Sequence, residues 1–191
     1  MMDACDTSSD SAAGFLTMVE DGRHGLFGGY LLLSRNGRPV EFHCTAPVKP
    51  NRAQEILYGP TLGEYLYAEQ IGRTLIAQPK SHVPVVYTDL SKALAVRHYV
   101  AQTVALVTAP DDPPSGELSE RQWRLDGAHQ ETPVMISMQM GAARIEVLSE
   151  YDGDRLRLSR NLELLGPRFD LVEPFRRIRE AIEEAQAGGK S

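Results

Sequence analysis

Cysteine is scarce in this chain, and long apolar runs and secretion signals are missing. Its 191 residues include two cysteines, Cys5 and Cys44. Cys5 lies in a small acidic stretch and Cys44 in a predicted strand, so we expect no disulfide between them and a reducing compartment. No apolar run reaches the roughly eighteen residues that a transmembrane helix needs. The acidic N-terminus lacks the basic-then-apolar pattern of a secretion signal, so we predict a cytoplasmic protein with no membrane partner.

An excess of positive charge is also missing. The formal net charge is −6, whereas general nucleic-acid binders usually carry a basic excess, so we predict no nucleic acid among the partners. Neither cysteine belongs to a C-x-x-C pair, and no two histidines lie four residues apart. The glycine-rich segment 21–29 lacks a Gly-Lys-Ser/Thr sequence and leads into a strand, which favours a turn over a phosphate-binding loop. We therefore predict no metal, no cofactor and no catalytic residue.

The clearest feature that is present is a hairpin centred on Asn36-Gly37. Apolar runs flank this pair, and Asn-Gly is typical of a two-residue type I′ turn, in which both residues have positive φ. Counting outward from such a turn pairs Leu33 with Val40. Pro39 lacks an N–H, which predicts that the second strand lies at a sheet edge. Because side chains alternate across a strand, one face of the hairpin is predicted to form core: Leu31, Leu33, Val40, Phe42 and Cys44.

Other elements are predicted on both sides of this hairpin. A strand before it completes an antiparallel meander over about 15–45. Two capping signals flank a helix break at Gly59-Pro60, namely Asn51 with Gln54 and Thr61 with Glu64. A βαβ unit follows, with strands at 83–88 and 103–108, a helix at 90–100 and Asp89 as the helix cap.

A polar, proline-rich linker at 111–117 separates two parts of the chain. We expect a disordered tail at 1–13, an N-terminal part at 14–110 and a C-terminal part at 118–187. The C-terminal part is predicted to hold antiparallel strands, a hairpin over Asp152-Gly153 and an amphipathic helix. The fold class is therefore α+β, with mixed α/β as the alternative. The two parts either are separate or share one sheet.

Positive charge is concentrated near the start of the terminal helix. Arg176, Arg177 and Arg179 come early in it, where the helix dipole favours acidic residues instead. Ion pairs with glutamates one turn later would offset that cost and leave a solvated face. The alternative is that these arginines bind an anion or an acidic partner surface. The candidate interaction residues are Arg168, Arg176, Arg177 and Arg179.

Cys44 is a second candidate, as a reactive thiol. His43 is its neighbour in sequence, but strand alternation points the two side chains to opposite faces and excludes a dyad between them. A buried and inert cysteine on the core face is the expected outcome.

Three classes of function remain open. Absent catalytic motifs, a half-apolar outer hairpin face and an edge strand favour a non-enzymatic accessory or protein-interaction subunit, which acts through a protein partner or self-association. A small-molecule or nucleotide-binding regulatory domain would need a deep, largely apolar pocket. An enzyme with an unrecognised active site would need perturbed titratable groups in a cleft. The first class is our expectation, and whether the chain is an enzyme stays open.

Overall fold

A computed structural model describes residues 11–109 and 133–188. Cys5, the predicted linker and residues 1–10 of the predicted tail lie outside the described residues. Ala12 and Ala13, at the end of that predicted tail, are buried. In the part of the chain that the structure describes, no helix has the length and apolarity to cross a bilayer.

The described residues contain one mixed sheet. Its strands are β1 (Ala13–Asp21), β2 (Gly25–Leu33), β3 (Pro39–Cys44), β4 (Val85–Thr88), β5 (Thr103–Thr108), β6 (Met135–Met140) and β7 (Ala143–Leu148). They lie in the order β3-β2-β1-β4-β5-β7-β6. β1, β4 and β5 run parallel to each other, and the remaining neighbours are antiparallel. Because β5 pairs with β7, strands from both sides of the predicted linker share this sheet.

Helices cover both faces of the sheet, which confirms the α+β prediction. They are α1 (Arg52–Tyr58), a short 3-10 turn (Gly59–Thr61), α2 (62–76, with a π-helical stretch at Tyr65–Arg73), a 3-10 helix (Ser91–His98), α3 (Asp154–Leu165) and α4 (Glu173–Gly188). α2 and the 3-10 helix pack on one face, and α3 and α4 pack on the other. The central strands are therefore buried on both sides, which explains their nearly continuous apolar sequences.

Adjacent glycines in β2 bring a helix close to each face of the sheet. A Cβ atom at Gly28 would lie 2.2 Å from Ile71 of α2, and one at Gly29 would lie 2.3 Å from Ile178 of α4. Neighbouring residues of a strand point to opposite faces, so the pair removes one side chain from each interface. Close approach of the backbone is thus the reason for this Gly-Gly sequence.

The hairpin between β2 and β3 differs from the predicted two-residue turn. Gly37 has a φ of +71°, whereas no residue other than glycine has a positive φ among those described. The Ser34 amide donates to the Arg38 carbonyl, which closes a three-residue loop. Leu33 therefore pairs with Pro39 rather than Val40, and an irregularity at this point restores the predicted register from Leu32 onward.

The predicted core face is right for β2 and wrong for β3. Leu31 and Leu33 are buried, but Val40, Phe42 and Cys44 are exposed. β3 is the edge strand that Pro39 predicted, and α4 packs over β1 and β2. The supposedly outer face of β2 is buried too, because Tyr30 and Leu32 lie under α2.

The predicted capping box of Asn51 and Gln54 is confirmed, with both of its hydrogen bonds at 2.9 Å. Two other local predictions are wrong. The Asp152-Gly153 hairpin is wrong, since Gly153 precedes α3, and the C-terminal hairpin joins β6 to β7 instead. The Thr61 cap is also wrong, because the Thr61 hydroxyl donates to the Tyr58 carbonyl.

Candidate ligand-binding crevice

The order of the strands defines a switch point between β1 and β4. From β1 the chain builds β2 and β3 on one side, and it then crosses to build β4 and β5 on the other. In open sheets with parallel strands, ligands bind outside the carboxyl ends of the strands at such a point. We call this place the crevice. It is formed where β4 ends beside Leu16 and Thr17, midway along β1, with α2 and α4 on either face.

A charged pair occupies the α4 side of the crevice. Asp89 directly follows β4, and Arg179 reaches it from α4 with Nη2 bonded to Oδ2 of Asp89. The same nitrogen lies 3.4 Å from the hydroxyl of Thr17, a fully buried residue of β1. Arg179 therefore links the two strands on either side of the switch point.

The Arg179–Asp89 pair is incompletely bonded. Asp89 Oδ1 is buried and has no hydrogen-bond partner among the described residues. Such a buried acceptor costs about 1–3 kcal/mol unless a partner is supplied. The Arg179 side chain is 40% exposed, and the bonds described for it use only Nη2. The pair therefore offers a ligand an open acceptor beside an accessible cation.

An aromatic ring lies on the α2 side of the crevice. Tyr67 of α2 is partly buried, and the ammonium of Lys92 lies 5.4 Å from its ring centroid. Burial raises the pKa of Tyr67, and the nearby carboxylate of Glu20 raises it further. Glu20 lies four residues beyond Leu16, the partner of Thr88, and Lys92 lies four residues after β4, so both residues follow the carboxyl end of the β1–β4 pairing.

A second charged cluster lies away from the crevice, around Asp154 at the start of α3. Its carboxylate is 1% exposed and accepts from Arg97, from the hydroxyl of Thr103 and from Arg157. The guanidinium of Arg97 also lies 3.8 Å from the ring centroid of Tyr151. These bonds join the 3-10 helix, β5 and α3, so the cluster is structural.

The four candidate arginines are not gathered at one site. Arg179 faces the crevice, whereas Arg176 is exposed and lies 3.8 and 4.0 Å from two glutamates of its own helix. Arg168 and Arg177 line a cavity at the opposite end of β1. Whether any of them binds an anion or a partner stays a prediction.

Cys44 lies on the edge strand with an exposed, free thiol, so its predicted burial is wrong. Cys44 was expected to be buried because it lies on the predicted core face of the hairpin. β3 is the edge strand, and no helix of the described residues covers that face of it. Its thiol borders a small apolar cavity of about 220 Å³ with Phe27 and Ile182. Within residues 11–109 and 133–188, no three His, Cys, Asp or Glu side chains are grouped as a metal site requires.

Sequence reasoning missed most of the crevice. Asp89 was predicted only as a helix cap, but the 3-10 helix has no side-chain cap and Leu90 N donates to Thr88 instead. The predicted βαβ unit does place Asp89 at a carboxyl end. The pairing of β1 with β4, which brings Thr17 beside it, has no local signal.

Comparisons with known proteins give distant structural likenesses only. No family model matches the chain, and no curated protein matches it. A structure of human ENDOV is 13% identical, with a TM-score of 0.41 over 91% of this chain and 85% of that chain. Two structures of Ciona intestinalis Endonuclease V bound to DNA that contains an inosine are 12% and 11% identical. Their TM-scores are 0.33 and 0.31, over 71% and 74% of this chain and 69% and 72% of theirs.

Two expectations from the sequence, the non-enzymatic function and the absence of a nucleic-acid partner, disagree with these comparisons and are wrong. The similar structures are of an endonuclease, which corrects the expected non-enzymatic accessory or protein-interaction subunit. Two of them contain DNA, which corrects the prediction of no nucleic acid among the partners. At these identities and TM-scores, the likeness gives no activity and no residue role to this chain.

Proposed function

We propose that this chain binds nucleic acid, as a single strand lying across the crevice. The observation that carries this proposal is the Arg179–Asp89 pair, which spans the switch point with a half-exposed cation beside an unpartnered acceptor. Guanidinium groups bind phosphate oxygens through paired N–H donors. Carboxylates accept hydrogen bonds from ribose hydroxyls and base amino groups.

The α2 side of the crevice supports the same ligand class. A nucleotide carries a flat base in addition to its phosphate and its hydrogen-bond donors. Tyr67 offers an aromatic surface for stacking, and such stacking contributes about 1–3 kcal/mol per base. Lys92, whose ammonium lies over one face of this ring, adds a second cation for the backbone and leaves the other face for the base. Together the two sides provide a contact for each chemical part of a nucleotide.

The shape of the crevice favours a strand over an isolated small molecule. Small-molecule sites usually enclose most of their ligand. The two cavities described here, at the hairpin tip and beside Cys44, both lie elsewhere. The 40% exposure of the Arg179 side chain suits a polymer that enters and leaves at the surface. We assign no bond-breaking step to these residues.

Fluorescence anisotropy with a labelled single-stranded DNA oligonucleotide, and with an RNA of the same sequence, tests this proposal. We expect saturable binding that Arg179→Gln weakens about tenfold or more, because a hydrogen bond to a charged group contributes roughly 1.5–3 kcal/mol. Arg176→Gln is the matched control, since that side chain lies exposed on the same helix and contacts glutamates there. Absence of saturable binding, or equal losses in both variants, would overturn the proposal.

The salt dependence gives a second measurement. With Arg179 and Lys92 as the cations at the crevice, the strand would contact one or two phosphates. The logarithm of the binding constant should therefore fall with the logarithm of salt concentration with a slope of about −0.7 to −1.4. We also propose a reducing, cytoplasmic location, which the free thiol of Cys44 supports.

A further inference from the structure

A cavity of about 310 Å³ opens where the tip of the β2–β3 hairpin meets the start of α4. It lies at the end of β1 opposite to the crevice, because the hairpin tip follows Leu33, the partner of Ala13. Its lining includes side chains from three separate segments: Arg35, Leu165, Arg168, Phe169, Glu173 and Arg177.

The arginines of this cavity are not equally paired. Arg177 is held by Glu173, at 2.9 Å from Nε and 2.8 Å from Nη2, and its Nη1 donates to the Gly37 carbonyl at 3.2 Å. Arg35 and Arg168 have no ion pair or hydrogen bond to any other described residue. Two cations from different segments thus line one cavity without a carboxylate of their own.

The other acid in the cavity lining, Asp170, is already bonded to backbone. Asp170 Oδ1 accepts from the amides of Val172 at 2.9 Å and Glu173 at 3.2 Å. Its bonds cap the start of α4, and they occupy the amides that an anion would otherwise meet there. A ligand in this cavity would therefore be bound through guanidinium groups rather than through the helix terminus.

We propose that this cavity binds a phosphate monoester, with Arg35 and Arg168 as the residues that contact the phosphate. A phosphate monoester carries close to two negative charges at neutral pH, which matches two unpaired arginines. Its oxygens can accept from two guanidinium groups at once, and arginine is well suited to this geometry. Arg177 is a positioning residue, because it ties α4 to the hairpin that carries Arg35.

The apolar part of the lining indicates what the phosphate is attached to. Phe169 stacks on Phe15 with ring centroids 6.1 Å apart, so its ring is fixed in place at the cavity wall. Leu165 continues this apolar surface. The volume is at the lower end of the range for small-molecule sites, roughly 300–1,000 Å³. A phosphate joined to one ring system fits these dimensions, and a free nucleotide or the phosphorylated end of a strand both supply it.

The cavity contains only two of the four arginines that the sequence suggested as anion-binding residues, and it is a different site from the crevice. Of the four arginines chosen from the sequence, Arg168 and Arg177 line the cavity, whereas Arg176 and Arg179 do not. Arg35 joins them because the three-residue loop brings the hairpin tip toward α4. The cavity would remain a phosphate site if strand binding at the crevice were disproved.

Isothermal titration calorimetry of the full chain tests this proposal with adenosine monophosphate, adenosine and inorganic phosphate. We expect saturable binding of the monophosphate, weaker binding of phosphate alone and none of adenosine. Arg168→Gln and Arg35→Gln should each weaken binding of the monophosphate about tenfold. Arg176→Gln should leave it unchanged, because that side chain is exposed on α4 outside both sites.

Oligonucleotides with and without a 5′-phosphate distinguish the two sources of the ligand. A dependence on the 5′-phosphate that Arg168→Gln removes would support the strand end, and its absence would support the free nucleotide. Because Arg35 and Arg168 are exposed, both variants should keep the thermal unfolding midpoint of the native chain. Equal binding of adenosine and its monophosphate would overturn the proposal, as would equal binding by Arg168→Gln and the native chain.

Discussion

Two arginine–aspartate pairs stand at different places in this sheet. Asp154 is 1% exposed, and its carboxylate accepts from Arg97 at 2.7 and 3.2 Å, from Thr103 at 2.9 Å and from Arg157 at 3.1 Å. Asp89 is 17% exposed, and its Oδ1 is left without a partner among the described residues. Both carboxylate oxygens of Asp154 are therefore bonded within the protein, which we call a closed pair. Asp89 keeps one oxygen without a partner among the described residues, which we call an open pair.

The difference between these pairs separates a structural interaction from a binding one. A buried carboxylate with several donors fixes the elements that supply them, and removing one partner leaves an uncompensated charge. A pair with a free acceptor and a half-exposed guanidinium can exchange bonds with a ligand at little cost to the fold. Substitutions in the two pairs and elsewhere in the fold test that division.

Asp154→Ala should destabilise the fold most. It leaves Arg97 buried without its acid, and breaking such a buried pair costs about 3–5 kcal/mol. At this chain length the thermal unfolding midpoint should fall by roughly 6–20 °C. Asp152→Ala is the control, since that side chain is exposed two residues away. Equal midpoints for the two variants would show that the Asp154 cluster is not structural.

Gly29→Ala should cause the second-largest loss of stability, because the added methyl group forces α4 away from β2. The added Cβ would lie 2.3 Å from Ile178, and overpacking of this kind costs about 1–3 kcal/mol. Chemical denaturation measures that loss. Gly22→Ala is the control, with open space around the added methyl group. The prediction fails if both alanine variants unfold at the same denaturant concentration.

Glu41 should make a smaller contribution to the free energy of unfolding, and this contribution should depend on pH. Hydrogen bonds from the hydroxyl and amide of Ser81, from His43 and from the Lys80 amide lower the pKa of Glu41 from 4.5 to about 2. Because the folded-state pKa is depressed, this stability is complete above the unfolded pKa and is lost as pH falls from about 4.5 toward 2. Allowing for solvent screening, Glu41→Gln should remove about 1–2 kcal/mol at pH 7.

Unfolding curves of native chain and Glu41→Gln between pH 2 and 7 measure this contribution. The two curves should converge at the acid end of that range. Glu55→Gln, at an exposed position of α1, should follow the native curve throughout. A constant difference between Glu41→Gln and native chain at every pH would contradict the assignment.

Asp89→Ala should have the smallest effect on stability. Its partner is half exposed, and such pairs contribute about 0–1 kcal/mol. Loss of the unpartnered Oδ1 also removes a buried acceptor. The unfolding free energy should change by less than about 1 kcal/mol, and binding of a single strand should weaken. A loss as large as that of Asp154→Ala would make the two pairs equivalent and remove the basis of the comparison.

Local signals in the sequence predicted much of the fold. The meander, the Asn51 cap, the βαβ unit and the terminal helix rest on turn, capping and periodicity rules that act within a few residues. α3 was missed because Asp152-Gly153 resembles a hairpin turn. Leu158, Leu162 and Leu165 at helical spacing were the signal for a helix there, and all three are buried.

The crevice depends on pairings that local rules do not encode. Arg179 was chosen for its charge, but its contact with Thr17 joins residues 162 positions apart in the sequence. Cys44 was placed in the core by alternation alone, and its exposure follows from the limited width of the helical layer. Both outcomes depend on how distant elements pack, which one strand or helix does not determine.

NMR of side-chain Nε–H groups in arginine-labelled protein reports on Arg179 and Arg97 in one sample, so it compares the two pairs under identical conditions. On addition of a single-stranded oligonucleotide, the resonance of Arg179 should shift in proportion to occupancy, while that of Arg97 should stay in place. Arg97 shifting as much as Arg179, or Arg179 staying unmoved at saturation, would contradict the division between a closed structural pair and an open binding pair.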